Sequence, residues 1–126
     1  MQEISGMMGK KVGKGARGVE KGTYYVYILL CPDGSLYTGL TNDLPHRWAL
    51  HVSGRGAKYT RAHPPEAVAA LWRCGDKSAA ARLEYAIKAK LTHGEKLALI
   101  AEPERAAAWF PELAGAFTPA EVPEMQ

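Results

Sequence analysis

The feature that most constrains the fold is a run of aromatic and branched residues, YYVYILLC, followed at once by a tight-turn sequence. Residues 24–31 have the composition of a β-strand, Pro32-Asp33-Gly34 that of a turn, and residues 36–40 that of a second strand. Proline favours the first turn position and glycine the left-handed one, which predicts a three-residue loop with a glycine bulge. The segment therefore predicts a β-hairpin.

The length of that loop decides which side chains share a face of the hairpin. A three-residue loop places Tyr27 opposite Gly39 and Leu29 opposite Tyr37. Because side chains alternate along a strand, Tyr27 and Tyr37 then lie on one face together with Tyr25. A two-residue loop would put Tyr27 and Tyr37 on opposite faces. The other face is predicted to be the core side, with the members Val26, Ile28, Leu30, Leu36, Thr38 and Leu40.

The segment after the hairpin carries helix signals. Thr41-Asn42-Asp43 is typical of a helix start, and proline is tolerated in the first turn that follows. We predict a helix over residues 44–53, with a buried stripe at a spacing of four residues formed by Leu44, Trp48 and Val52. Arg47 and His51, also four residues apart, are predicted to lie side by side on a neighbouring face.

The remaining patterns complete one small domain. A third strand is predicted over residues 67–74, a helix over 78–91, and a short helix from 94 or 95 to 101. The order strand, strand, helix, strand, helix, helix describes an α/β fold of the α+β sandwich type. Its sheet is predicted to be small, three-stranded and mostly antiparallel.

Composition divides the chain into three parts. Residues 1–22, rich in glycine and lysine, are predicted to form a flexible basic arm, and residues 23–101 the working domain. Residues 102–126 hold one basic and five acidic side chains and are rich in proline, alanine and glutamate, which predicts a partly packed C-terminal extension. No apolar run approaches the roughly 20 residues that a membrane-spanning helix needs. We therefore expect a cytoplasmic protein without a membrane partner.

Basic side chains concentrate in one stretch of the domain. Arg47, Arg55, Lys58 and Arg61 occur without any carboxylate between the first and the last of them. Such a stretch is typical of a surface that binds phosphate groups, as in nucleic acids. A basic loop that only keeps a small domain soluble is the alternative interpretation.

Two tyrosine segments carry a family resemblance. Tyr25-Val26-Tyr27 and, ten residues after Tyr27, Tyr37-Thr38-Gly39 resemble the two half-motifs of the GIY-YIG nuclease superfamily. Further residues fit in order, namely Thr41-Asn42-Asp43-Leu44, Arg47 and His51, the segment from Gly54 to Thr60 that contains Lys58 and Tyr59, and Glu84. The resemblance spans about residues 23–100. It is nearest to the small stand-alone bacterial members, and more distant to the incision domains of excision-repair and structure-selective nucleases.

The resemblance implies a GIY-YIG fold that hydrolyses DNA phosphodiester bonds with one divalent ion. Glu84 would hold Mg²⁺ or Mn²⁺, since a single carboxylate suits a hard, water-rich ion. Arg47 would pair with the scissile phosphate. The resemblance points to Tyr27 or Tyr37 as the base that activates water; we favour Tyr27, with Tyr37 positioning water or phosphate and His51 accepting or relaying the proton. Because free tyrosine has a pKa of about 10, we expect nearby positive charge to lower it.

Four more residues complete the predicted site. Tyr59 would hydrogen-bond within it, Lys58 and Arg61 would contact flanking phosphates, and Arg55 would join them in binding nucleic acid. DNA is the predicted partner, with RNA as an alternative and a protein that directs substrate choice as a further one. The region some dozen residues after Glu84, where many relatives carry asparagine, reads KLTHGEK here. This departure implies activity that is weak or dependent on a partner.

Each of these residues has a simpler interpretation. Glu84 and Lys88 have the spacing of an ordinary helix-surface ion pair, and the tyrosines could serve aromatic packing alone. Two other functions therefore stand beside a nuclease. One is a nucleic-acid-binding module of the same fold with little or no cleavage, and the other is a protein-interaction domain that docks through Trp109 and Phe110.

Overall fold

The hairpin predicted from the tyrosine-rich segment begins the folded domain. The structure is a computed structural model that describes residues 22–124, so the predicted basic arm, apart from Gly22, lies outside the described residues. The elements in chain order are β1 (Tyr24–Leu30), β2 (Leu36–Thr41), α1 (Leu44–Val52), α2 (Lys58–Ala62), β3 (Ala67–Cys74), α3 (Lys77–Lys90), α4 (His93–Ala101), α5 (Arg105–Trp109), a 3₁₀ turn (Pro111–Leu113) and β4 (Phe117–Pro119).

The register of the hairpin agrees with the prediction from its loop. Tyr27 pairs with Gly39 and Leu29 pairs with Tyr37 in the antiparallel β1–β2 ladder. Gly34 has a φ of 87°, and its N–H donates to the Cys31 carbonyl at 2.9 Å. The left-handed residue that the turn requires is therefore the glycine, as the sequence predicted.

The sheet has one strand more than predicted. Within residues 22–124 it contains four strands in the order β2-β1-β3-β4, and every neighbouring pair is antiparallel. The additional strand, β4, comes from the C-terminal extension and pairs Phe117 with Cys74. Three residues are too short to give a clear alternating pattern in the sequence, which explains why this strand was not predicted.

Both faces of the sheet are covered, which corrects the prediction of a single core face. The predicted face, with Val26 and Ile28, packs against Leu83 and Ile87 of α3. The tyrosine face also closes over, because α1 covers it with Leu44 and Trp48. The exposed fraction of Tyr27 is only 1%. The Tyr27 side chain, which the sequence predicted on the face away from the core, is therefore buried.

Helix α1 starts where predicted but buries a different third residue. The Asp43 side chain accepts a hydrogen bond from the backbone N–H of His46, which caps the helix. Leu44 and Trp48 are buried, whereas Val52 is 39% exposed and His51 is 1% exposed. A step of three residues from Trp48 stays on the same helix face as well as a step of four, so spacing alone did not decide between them.

The segment between α1 and β3, for which no helix was predicted, contains a short helix. Helix α2 spans Lys58–Ala62 and places the fully buried Thr60 beneath α1. The C-terminal extension packs on the opposite face through Phe110, Leu113 and Phe117. The Trp72 indole N–H donates to the carbonyl of Pro103 at 3.0 Å. In the part of the chain that the structure describes, none of the helices is long and apolar enough to cross a bilayer.

Candidate active site

The centre of the candidate site is Tyr27, which lies across the backbone of its strand partner. A Cβ atom added to Gly39 would lie 2.5 Å from the Tyr27 hydroxyl oxygen and 2.7 Å from Cζ. Real Cβ atoms do not approach so closely, so glycine at this position leaves the space that the phenol ring occupies. Gly39 in the second half-motif therefore leaves the space for Tyr27 of the first half-motif.

This contact predicts a defect for Gly39→Ala. The added methyl has to displace the ring, and overpacking of this kind costs about 1 to 3 kcal/mol of stability. We expect urea unfolding to show a lower midpoint for Gly39→Ala and its activity to fall with the displaced hydroxyl. Gly75→Ala is the control, since a Cβ atom at Gly75 meets nothing within 4 Å. Equal stability of the two variants would show that the Tyr27 ring does not need a glycine at position 39.

A hydrogen-bonded chain leads from Tyr27 into the interior. Its hydroxyl lies 2.9 Å from Nε2 of His51, and Nδ1 of His51 lies 2.7 Å from Oγ1 of Thr60. All three side chains are almost completely buried. His51 is thus held at both ring nitrogens, which stabilises a polar side chain on the buried face of α1.

Burial sets the protonation of both rings at neutral pH. It raises the pKa of Tyr27 from 10.0 to about 12, while a hydrogen bond from Arg47 lowers it in part and the negative charge of Glu84 adds to the rise. Burial, followed by the positive charge of Arg47, lowers the pKa of His51 from 6.5 to about 4. Arg47 lowers the pKa of Tyr27, as expected, but removal from water outweighs this effect and the net shift is upward. Tyr27 is a neutral phenol and His51 a neutral imidazole.

The lowered pKa of His51 predicts acid sensitivity. Between pH 6.5 and about 4 the unfolded chain binds a proton at this histidine that the folded chain does not, so stability falls as the pH falls. The total loss is about 3 kcal/mol and is complete below pH 4. Unfolding free energies measured across this range should show the slope. His51→Gln should flatten it, whereas a change at the exposed His93 should not; an unchanged slope in His51→Gln would contradict the assignment.

Aromatic rings continue the site toward the surface. The Tyr37 ring centroid lies 5.4 Å from that of His51 and 6.0 Å from that of Tyr59, with which it stacks at an interplanar angle of 14°. Tyr59 stacks in turn on His63 at 4.4 Å. Tyr59 is 37% exposed, so the row of rings runs from the buried histidine to solvent. Tyr59, which was predicted to hydrogen-bond within the site, joins it here by stacking.

Helix α3 brings the carboxylate of Glu84 to the same edge of the sheet. Glu84 is 22% exposed, its Oε2 lies 3.7 Å from Nζ of Lys88, and Lys88 lies over the Tyr37 ring at 5.8 Å from the centroid. Because β2 is an edge strand, side chains of α3 reach the tyrosine side past it. The charge of Glu84 acts on Tyr27, as does Arg47. The structure thus gathers these charged residues around the two tyrosines.

The donor set fits a hard ion that keeps most of its water. Among residues 22–124 no cluster of three or more histidine, cysteine, aspartate or glutamate side chains could hold a metal. Zinc or a dedicated calcium cage needs several such ligands, whereas Mg²⁺ and Mn²⁺ bind through one or two carboxylates, water and phosphate oxygens. A partly exposed Glu84 beside the tyrosines matches the second pattern.

The remaining predicted residues lie at the surface. Arg55, Lys58 and Arg61 are exposed, and Nε of Arg55 donates to Oγ of Ser53 at 3.1 Å. They follow α1 or belong to α2, next to the exposed end of the row of rings. The sequence had not marked Thr60, Gly39 or Lys88 as site residues. The first two stand inside the motif segments, but only their contacts with His51 and Tyr27 reveal what they do.

Comparison with known proteins identifies the family of the domain. A family model described as the GIY-YIG catalytic domain matches residues 23–97. UPF0213 protein OB0043 of Oceanobacillus iheyensis is 52% identical over 77 residues, which cover 61% of this chain and 88% of that protein. UPF0213 protein XAC3202 of Xanthomonas axonopodis pv. citri is 46% identical over 81 residues, covering 64% of this chain and 78% of the relative.

A solved structure gives a further likeness. The solution NMR structure of the UPF0213 protein BH0048 from Bacillus halodurans is 46% identical and covers 63% of this chain and 83% of its own, with a TM-score of 0.42. The residues matched by the family model extend over more than half of the chain and contain every element from β1 into α4. The chain therefore belongs to the GIY-YIG family and carries its nuclease-type catalytic domain, in the branch of small bacterial UPF0213 proteins.

Proposed function

We propose that this protein hydrolyses DNA phosphodiester bonds with one divalent ion, Mg²⁺ or Mn²⁺. The observation that carries the proposal is the buried hydrogen bond between the Tyr27 hydroxyl and Nε2 of His51, 2.9 Å long. The charges of Arg47 and Glu84 act on the pKa of Tyr27, and the charge of Arg47 also acts on that of His51. A protein that only binds nucleic acid needs surface cations, but it has no use for a proton acceptor behind a buried phenol.

Glu84 is the residue that would hold the ion. When bound, such an ion polarises the phosphate and makes a coordinated water more acidic. The partial exposure of Glu84 leaves room for water and for a phosphate oxygen beside its carboxylate. The ion pair with Lys88 at 3.7 Å is long and half exposed, so it competes only weakly for that carboxylate.

Tyr27 serves as the base through its partner rather than by ionising alone. Its oxygen takes a proton from the attacking water while its own hydroxyl proton passes to Nε2 of His51. The pKa of about 12 makes a free phenolate too rare at neutral pH. Nε2 of the neutral His51 lies 2.9 Å from the hydroxyl and is the acceptor placed to receive its proton. Because the pKa of His51 is lowered to about 4, this transfer has to accompany the attack of water on the phosphate and cannot precede it. Tyr37 meets His51 only through ring packing, so it is assigned to positioning water or phosphate.

The cationic residues divide between the reacting phosphate and its neighbours. Arg47 is permanently charged and stabilises the negative charge that grows on the phosphate oxygens. Arg55, Lys58 and Arg61 contact flanking phosphates from their exposed positions. We propose DNA repair or DNA processing as the setting, with selectivity for DNA structure and a protein partner that directs it.

The proposal is tested by metal-dependent cleavage. Purified protein should nick or trim members of a panel of single-stranded, duplex and branched DNAs in Mg²⁺ or Mn²⁺, and EDTA should stop the reaction. An otherwise identical preparation of Arg47→Ala should lose about 10²- to 10³-fold of the rate while it remains folded. If wild type is inert in both metals yet binds DNA as tightly as Glu84→Ala, the protein is a binding module. Equal cleavage by all three proteins would point to a contaminating nuclease.

A further inference from the structure

The hydrogen bonds around His51 favour one arrangement of protons. Oγ1 of Thr60 lies 3.0 Å from the carbonyl oxygen of Ala57 and 2.7 Å from Nδ1 of His51. A carbonyl can only accept, so the hydroxyl proton of Thr60 lies toward Ala57. Thr60 has no second proton to give, and the contact with Nδ1 must therefore be filled by a proton on the histidine.

The other side of the ring follows from that assignment. A neutral imidazole with a proton on Nδ1 has a free electron pair on Nε2. The 2.9 Å contact between Nε2 and the Tyr27 oxygen then needs the phenol proton. Arg47 lowers the pKa of the same phenol, and a cation that can only donate fits an oxygen that gives its own proton to His51.

We propose that Thr60 is a positioning residue that fixes the tautomer of His51, so that Nε2 is always ready to accept the Tyr27 proton. The kinetic consequence of this inference rests on the proposed function, whereas the tautomer does not depend on that function. During the step a water proton moves to the Tyr27 oxygen and the phenol proton moves to Nε2. Nδ1 of His51 keeps its proton and donates it to Oγ1 of Thr60, and the Thr60 hydroxyl keeps its proton and donates it to the Ala57 carbonyl.

A glycine makes room for this contact. A Cβ atom at Gly56 would lie 2.5 Å from Nδ1 of His51 and 3.0 Å from Oγ1 of Thr60. No side chain can therefore stand at this position while the histidine and the threonine keep their hydrogen bond. Gly56 leaves the space in which Nδ1 of His51 meets Thr60, as Gly39 leaves the space for the ring of Tyr27.

The tautomer can be observed without any substrate. In ¹⁵N-labelled wild type, long-range proton–nitrogen correlation spectra should show Nδ1 of His51 as the protonated nitrogen and Nε2 as the bare one at neutral pH. Thr60→Val keeps the shape of the side chain but removes the acceptor, so the proton should move in part or entirely to Nε2. Thr60→Ser retains the hydroxyl and should restore the wild-type spectrum. Should Thr60→Val fail to fold, the wild-type and Thr60→Ser spectra still decide the question.

The kinetic consequence is measured on the same three proteins. The wrong tautomer removes the acceptor for the Tyr27 proton, and kcat of Thr60→Val should fall by about 10²- to 10⁴-fold with KM unchanged, while Thr60→Ser stays within a few-fold of wild type. Wild-type protein with its proton on Nε2, or Thr60→Val with an unaltered tautomer, would overturn the inference. The expected spectra in a protein that never cleaves DNA would instead reject the proposed nuclease function and leave the positioning role intact.

Discussion

Glu84→Gln should reduce cleavage by at least about 10³-fold and leave the fold unchanged. The amide keeps the size of the side chain but loses the negative charge, and the contribution of a bound ion to charge stabilisation amounts to several kcal/mol. Among residues 22–124 no metal-binding cluster surrounds Glu84 that could replace it. Initial rates over a range of Mg²⁺ concentrations measure the loss, and titration with Mn²⁺ followed by electron paramagnetic resonance measures binding directly.

We expect Glu84→Gln to be about as stable as wild type. The ion pair of Glu84 with Lys88 joins neighbouring helical turns near the surface, and such pairs contribute about 0.3 to 0.5 kcal/mol. Glu102→Gln makes the same chemical change in an exposed pair with Arg105, outside the site, and should retain wild-type rates. Undiminished cleavage by Glu84→Gln would show that Glu84 does not hold the ion.

The sequence predicted those parts of the fold that depend on local chemistry. Pro32-Asp33-Gly34 determines the loop, the loop determines the register, and the register brings Tyr27 opposite Gly39, as the structure has it. The third strand was also predicted with its correct bounds at Ala67–Cys74. In each case the information lies within a few consecutive residues and needs no knowledge of the rest of the chain.

Burial of the site could not be predicted in the same way. The tyrosine face of the hairpin is closed by α1, and neither strand periodicity nor composition states that a helix will pack there. His51 illustrates the consequence, since a histidine beside an arginine on a helix is usually solvated. Its burial becomes favourable only when Tyr27 on strand β1 and Thr60 on the next helix form hydrogen bonds with its two ring nitrogens.

The protonation of the site depends on burial, which the sequence did not predict. From the sequence, an arginine near a tyrosine suggests a lowered pKa for the phenol. In the folded protein removal from water is the larger effect, and the pKa of Tyr27 rises to about 12. The proton relay to His51 that we propose does not require Tyr27 to ionise on its own.

Tyr27→Phe tests that relay most directly, and we expect it to lower kcat by about 10²- to 10⁴-fold. The phenyl ring still fits over Gly39, so the shape of the site is retained while the oxygen is lost. Nε2 of His51 is then a buried acceptor without its donor, which should cost about 1 to 3 kcal/mol of stability. Rates measured under conditions in which urea unfolding shows the variant to be fully folded separate the two effects.

Tyr37→Phe decides which tyrosine is the base. Tyr37 contacts His51 by its ring, and this contact survives the loss of the hydroxyl, so a positioning role should cost less than the removal of the base. Tyr85→Phe is the control, because Tyr85 is 64% exposed on α3. A larger loss of kcat in Tyr37→Phe than in Tyr27→Phe would assign the base to Tyr37. It would also leave the buried hydrogen bond between Tyr27 and His51 with a structural role, because Tyr37 meets His51 by ring packing.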